Sequence, residues 1–165
     1  MTAFERAWAL VKMPIVYHGG SNWQGNPNFP LFFTEDKEGA EWYAIEHGDE
    51  TPTIHEAQLD FKNPATLDDL LDAAKGIVSR DDETYGFPVY DLGDHSPYDG
   101  MNPLDVIYHP KVREVLRNRG FDGVSTMDAL TNSEIPVHVA FDESTFNILN
   151  RTPVDLEEYE RRISG

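Results

Sequence analysis

The stretch Ile15-Val16-Tyr17-His18-Gly19-Gly20 decides how this chain is read. Branched and aromatic side chains over the first half favour a β-strand, predicted over 15–18. That strand is expected to deliver His18 to a sheet edge, where the glycines let another backbone or a ligand come close. Residues 19–30, with Gly19, Gly20, Gly25, Pro27 and Pro30, read as a loop. The next apolar run, Leu31-Phe32-Phe33-Thr34, predicts a second strand. Thr34 or Asp36 then suits the N-cap of a helix over about 37–47, expected to bury Ala40, Tyr43 and Ala44. Strand–His–Gly followed by aromatic strand–helix–Tyr is a layout that can hold a flat heterocycle.

Working outward, Phe4, Trp8 and Val11 recur at helical spacing over 3–12, and Pro14 stops that helix. Thr53 to Phe61 alternates loosely and closes on Lys62-Asn63-Pro64, which predicts a strand entering a turn. Residues 66–78 predict a helix capped by Thr66, with positions 67, 70, 71, 74 and 78 on its apolar face. From Ser79 to Pro103 the chain is rich in Asp, Gly, Pro and Tyr and has no period, so an acidic loop or lid insertion is expected over 79–108. A helix over 110–119 starts at Pro110, turns Val112, Val115 and Leu116 inward and stops at Gly120. Phe121 to Ser125 and Pro136 to Phe141 read as strands, and Asp142-Glu143-Ser144 as a turn or helix start. Pro153 to Ile163 reads as a helix with Leu156, Tyr159 and Ile163 on one side. With no repeat and no linker, residues 1–165 are expected to form a single domain with a core of its own.

Thirteen basic residues against thirty acidic ones give a formal charge of −17. Such a surface repels nucleic acid and anionic lipid, so direct nucleic-acid binding is not expected. Ten of the acids fall within 66–105, against Lys75 and Arg80 alone. That segment motivates an alternative of another class, a non-catalytic acidic protein that mimics nucleic acid and inhibits a basic partner. There is no cysteine, which excludes disulfides and thiolate chemistry. The first residues lack a signal peptide's continuous apolar core, and no run is long enough to span a bilayer, so a cytoplasmic protein without a membrane partner is expected. No phosphate loop, dinucleotide fingerprint or serine-hydrolase elbow occurs, the histidines avoid helical metal-ligand spacing, and no metal site is expected.

Five segments, in order, resemble the diphtheria-toxin-like and poly-ADP-ribose-polymerase-like ADP-ribosyltransferases, in particular small bacterial and phage members. They are Val16-Tyr17-His18-Gly19; Phe32-Phe33-Thr34 running into Ala40-Glu41-Trp42-Tyr43-Ala44; Leu59-Asp60-Phe61-Lys62-Asn63-Pro64; Arg119-Gly120-Phe121-Asp122-Gly123-Val124; and Val139-Ala140-Phe141-Asp142. The resemblance implies an α+β fold with a split, twisted β-sheet, an NAD cleft and peripheral helices. It implies NAD as substrate and mono-ADP-ribosylation of a macromolecular acceptor, protein first, by a phage or bacterial effector. An NAD glycohydrolase on the same fold is the alternative. Cleavage of the nicotinamide–ribose bond passes through an oxocarbenium-like state, which carboxylates stabilise. By the resemblance, His18 bonds an NAD ribose hydroxyl, the Gly19 backbone holds the nicotinamide amide, and Tyr43 stacks on the nicotinamide ring with Phe32 nearby. Thr34 supports His18, and Tyr17 completes the binding set. The acid usually found early in the strand ending at Phe141 would fall at Val137; Glu134 and Asp128 are the nearest carboxylates and the candidates for that role.

Overall fold

The computed structural model describes residue 3 and residues 14–23, 27–77, 103–127 and 135–165. The strands in chain order are β1 (Ile15–Ser21), β2 (Leu31–Thr34), β3 (Pro52–Leu59), β4 (Pro64–Ala65), β5 (Gly123–Met127), β6 (Pro136–Ala140) and β7 (Phe146–Pro153). The α-helices are α1 (Lys37–His47), α2 (Leu67–Ala74), α3 (Pro110–Asn118) and α4 (Leu156–Ser164), with short 3-10 turns at Pro103–Tyr108 and Glu143–Thr145. The class is α+β, with β4–β5 parallel and the β1–β2, β1–β3, β3–β7 and β5–β6 pairs antiparallel. No helix among the described residues is long and apolar enough to cross a membrane. The chain forms two compact units, Met1–Asp60 with Asp142–Gly165, and Phe61–Phe141. The expected helix over 3–12, Ala3 apart, and residues 79–102 of the expected loop lie outside the described residues, as do Asp128 and Glu134.

In the first unit the strand order is β2-β1-β3-β7. β1 pairs with β3 along its whole length, from Ile15↔Gln58 to Ser21↔Pro52. It registers with β2 at one pair, Tyr17↔Thr34. The strand therefore runs on through the glycines, which were expected to be loop, and it lies between β2 and β3 instead of at an edge. The cause is the ladder with β3, whose Ile54, Thr53 and Pro52 take Gly19, Gly20 and Ser21 as partners. Alternation puts Val16 and His18 on one face and Tyr17 and Gly19 on the other. Val16, Phe33, Ala57, Leu59 and Phe146 are buried, with the Phe33 and Phe146 ring centroids 5.1 Å apart. Burying a side chain such as Phe33 contributes roughly 1.5–3 kcal/mol.

Helix α1 covers the Gly19 face. Asp36 caps it by accepting the Glu38 N–H at 3.1 Å. Its only buried side chains are Ala40 and Ala44, one turn apart, so the helix backbone sits directly against β1. A Cβ at Gly19 would lie 1.8 Å from the Ala40 carbonyl oxygen and 2.8 Å from the Ala44 nitrogen. Tyr43, expected to be buried, is instead 50% exposed. The helix is seated on its two alanines, and Tyr43 is left on the flank.

The sequence reading did not anticipate β7. Its first residues pair with the end of β3, Leu59↔Phe146 and Ala57↔Ile148, and its last with the start, up to Thr53↔Pro153. A bulge interrupts the register between Glu56 and Ala57. Because residues 150–153 belong to this ladder, α4 begins at Leu156 rather than Pro153, capped by Asp155. Its apolar residues share a side, but α4 buries no side chain.

In the second unit Thr66 and Asp69 form a reciprocal capping box at the start of α2. That helix stops at Ala74 rather than Val78, and Gly76 follows with φ +77°, a left-handed turn. Pro110 opens α3, and Gly120 at φ +90° closes it as the Phe121 and Gly120 N–H groups return to the Leu116 and Arg117 carbonyls. Two of the resembling segments lock together here. The Asp122 carboxylate accepts the backbone N–H groups of Lys62 and Asn63, Asn63 Nδ2 donates to the Gly120 carbonyl at 2.9 Å, and the Asp122 N–H donates to the Asn63 carbonyl. This latch sets the parallel pairs Pro64↔Gly123 and Ala65↔Val124. It also moves the start of β5 from Phe121 to Gly123. Phe61, Leu70, Leu104, Ile107, Val112, Leu116, Val124, Val139 and Phe141 are buried around it.

Gly19→Ala forces a methyl into the α1 backbone and should destabilise the protein by about 3 kcal/mol or more; a Tm within about 2 °C of the parent would refute the close docking. Asp122→Ala removes two charge-assisted bonds at an exposed turn and should cost about 1–2 kcal/mol in urea unfolding; an unchanged urea midpoint would refute the latch.

Candidate functional site

The candidate site is built on the first unit, where β1 outruns its ladder with β2. The His18 Nδ1 lies 2.7 Å from the Phe32 carbonyl oxygen. A carbonyl only accepts, so Nδ1 carries the proton and Nε2 carries the lone pair. No partner for Nε2 occurs among the described residues. Burial, and to a smaller degree the neighbouring His55, push the His18 pKa down to about 4 against the raising effect of the Phe32 carbonyl. At neutral pH His18 is an uncharged imidazole in a fixed tautomer. The adjacent Gly20 leaves room for it, since a Cβ there would lie 2.9 Å from Nε2.

Next to His18 stands a residue the sequence reading passed over. His55 is its register partner on β3, with ring centroids 5.8 Å apart, and is completely buried. Its Nε2 donates to the Ser21 carbonyl at 3.0 Å, which leaves a buried Nδ1 lone pair with no partner. Burial, with help from the nearby Arg151 charge, lowers its pKa too. Trp23, just past β1, stacks on His55 at 4.4 Å with 9° between planes, and its Nε1–H is also buried and unpartnered. Each such unmet group costs about 1–3 kcal/mol. Arg151 on β7 is the register partner of His55, and its guanidinium lies 4.9 Å from the Trp23 ring centroid. His18, His55, Trp23 and Arg151 thus form one row on one face of the strands.

The other residues expected at the site are arranged differently. Thr34 lies opposite Tyr17, and its hydroxyl accepts the Asp36 N–H at 3.0 Å, starting α1. The support for His18 comes from the Phe32 carbonyl instead. Strand alternation places the Phe32 side chain with Tyr17 and Gly19 on the α1 face, whereas Phe33 meets His18 edge-on at 6.0 Å. Tyr43 packs beside His47 at 4.4 Å, and its ring stands on the flank of α1. His18 and Tyr43 are therefore on opposite faces of β1. In the second unit Ser125 Oγ and His138 Nδ1, register partners on β5 and β6, are hydrogen-bonded at 2.8 Å. Among the described residues no group of three or more His, Cys, Asp or Glu side chains could hold a metal ion.

His55 sits inside the strand expected over 53–61, and the alternation Thr53, His55, Ala57, Leu59 would have marked it as facing the core. Its pairing with His18 and Arg151 depends on long-range register, for which the sequence carries no local signal. Compared with protein-family models, with curated proteins and with solved structures, the chain matches none.

The depressed His18 pKa has a consequence for stability. Between pH 6.5 and 4 the unfolded chain takes up a proton that folded His18 refuses, so stability falls as pH falls through that window. The contribution is about 3 kcal/mol at most, and His55 acts in the same direction. Urea unfolding of His18→Gln at pH 7 and pH 4 should show a shallower loss than the parent; equal losses would mean that His18 is not the group responsible.

Proposed function

We propose that the chain is an NAD-dependent mono-ADP-ribosyltransferase on a fold of the ADP-ribosyltransferase type, acting on a protein acceptor. The observation that carries this reading is His18 itself, a neutral imidazole held in one tautomer by the Phe32 carbonyl, with no partner for Nε2 among the described residues. A ligand hydroxyl can meet that lone pair. Tyr43 stands half exposed on the flank of α1, where a flat ring can stack on it. Five ordered segments of resemblance supply the identity of that ligand.

The chemistry is consistent with an oxocarbenium-like transition state. An imidazolium beside a ribose that is gaining positive charge would oppose cleavage; an imidazole that stays neutral down to about pH 4 does not. Its Nε2 lone pair can accept a ribose hydroxyl. Glu134 and Asp128 remain the candidates for the carboxylate, and a phage or bacterial effector in the cytoplasm is the setting the resemblance implies.

The test is to incubate the protein with labelled NAD and a bacterial lysate. Label on a protein, lost at least about 100-fold in His18→Gln with its fold retained, is the expected result. Tyr43→Ala, at an exposed position, should raise the NAD KM by up to about tenfold through the lost stacking. Nicotinamide released without macromolecular label would make the protein a glycohydrolase. A protein that neither binds nor consumes NAD would overturn the reading.

A further inference from the structure

We infer that Arg151, held against Trp23 beside the His55–His18 pair, forms an anion subsite that takes the diphosphate of a nucleotide ligand. The inference rests on the reading above for the ligand's identity, and its geometry stands on separate residues.

Three observations carry it. First, Arg151 is exposed and has no carboxylate partner among the described residues, in a chain with thirty acids against thirteen bases. The Arg162 guanidinium, by contrast, pairs with Glu41. The acid nearest in register, Glu56, belongs to the next position of β3 and points to the other face. Second, Trp23 fixes the position of the Arg151 side chain. A guanidinium resting near an aromatic ring keeps its planar fork of donors free at the edges, and that fork matches two phosphate oxygens. Third, the Trp23 Nε1–H is a buried donor still without an acceptor, in the same ring that the guanidinium lies over. An anionic oxygen there supplies one.

The spacing agrees with a dinucleotide. Arg151, His55 and His18 are successive register partners on β7, β3 and β1, so two inter-strand steps, about 9.5 Å, separate the first from the last. A sugar at His18 Nε2 would place its 5′-phosphates further along that row, toward Arg151. The phosphates' charge would be met by Arg151, which has no carboxylate partner among the described residues.

Calorimetric titration of the full chain with ADP and with inorganic pyrophosphate tests the subsite without requiring turnover. ADP should bind, pyrophosphate should compete with it, and rising salt should weaken both. Arg151→Ala should lose at least about tenfold in ADP affinity with an unchanged Tm, and Arg151→Lys should fall between, since it keeps the charge and loses the fork. Trp23→Phe, which keeps a ring and removes the Nε1–H, should lose affinity by a few fold. Unaltered ADP affinity in Arg151→Ala, or no binding of ADP or pyrophosphate at millimolar concentration, overturns the proposal. ADP bound through Arg151 by a protein that never consumes NAD would retire the transferase reading and leave the subsite standing. NAD consumed with the same KM by the parent and by Arg151→Ala would do the reverse.

Discussion

Helix α1 meets β1 through backbone rather than side chains, and the missing Cβ of Gly19 is what allows it. The two alanines of the helix and this glycine bring main chain against main chain. From that contact the position of everything else on this side follows. The strand before the helix is short, its last residue registers with Tyr17, and the Phe32 carbonyl comes within reach of the His18 ring. Tyr43 is displaced to the flank, where its ring is half open to solvent. The Phe32 carbonyl fixes the tautomer of His18, on the opposite face of the strand from α1.

The row of rings running from His18 to Arg151 has a consistent electrostatic logic. Two imidazoles lie side by side in a dry environment, and both resist protonation because burial penalises the charged form. Each uses one nitrogen on a backbone carbonyl and leaves the other as a lone pair. The positive charge of the row is concentrated at its outer end, in Arg151, away from the neutral His18. A site that must tolerate growing positive charge at one end and bind negative charge at the other is served by this division.

How much of this was legible beforehand depended on whether the determinant was local. The Asp36 and Thr66 caps, Pro110 at the start of α3 and Gly120 at its end act within a turn of the chain, and the helices they bound were readable from residue type. β7 was not readable. Its sequence, Phe-Asn-Ile-Leu-Asn-Arg-Thr-Pro, carries turn-forming residues and a largely exposed pattern, and it is a strand because β3 provides the ladder. Tyr43 was misjudged for a related reason: helical periodicity names a face but not which neighbour is small enough to seat on it. His18 and Gly19 were singled out from sequence, whereas His55 and Arg151 acquire interest only once strand register places them beside His18. Asp122-Gly123 and Asn63-Pro64 were noticed separately, and their mutual hydrogen bonds explain why both turns have the residues they have.

The first unit is discontinuous in the chain, and its two pieces meet where the Asp60 N–H donates to the Thr145 carbonyl at 2.7 Å. Synthesis from the N-terminus therefore produces β3 long before its partner β7. Between Leu59 and Pro153 roughly 90 residues must be added, about 5–20 s of ribosome time. Throughout that interval one side of β3 offers unpaired N–H and C=O groups to any passing strand. The row that contains His55 is likewise incomplete until Arg151 has emerged. The row from His18 to Arg151 therefore cannot assemble until β7 has been synthesised.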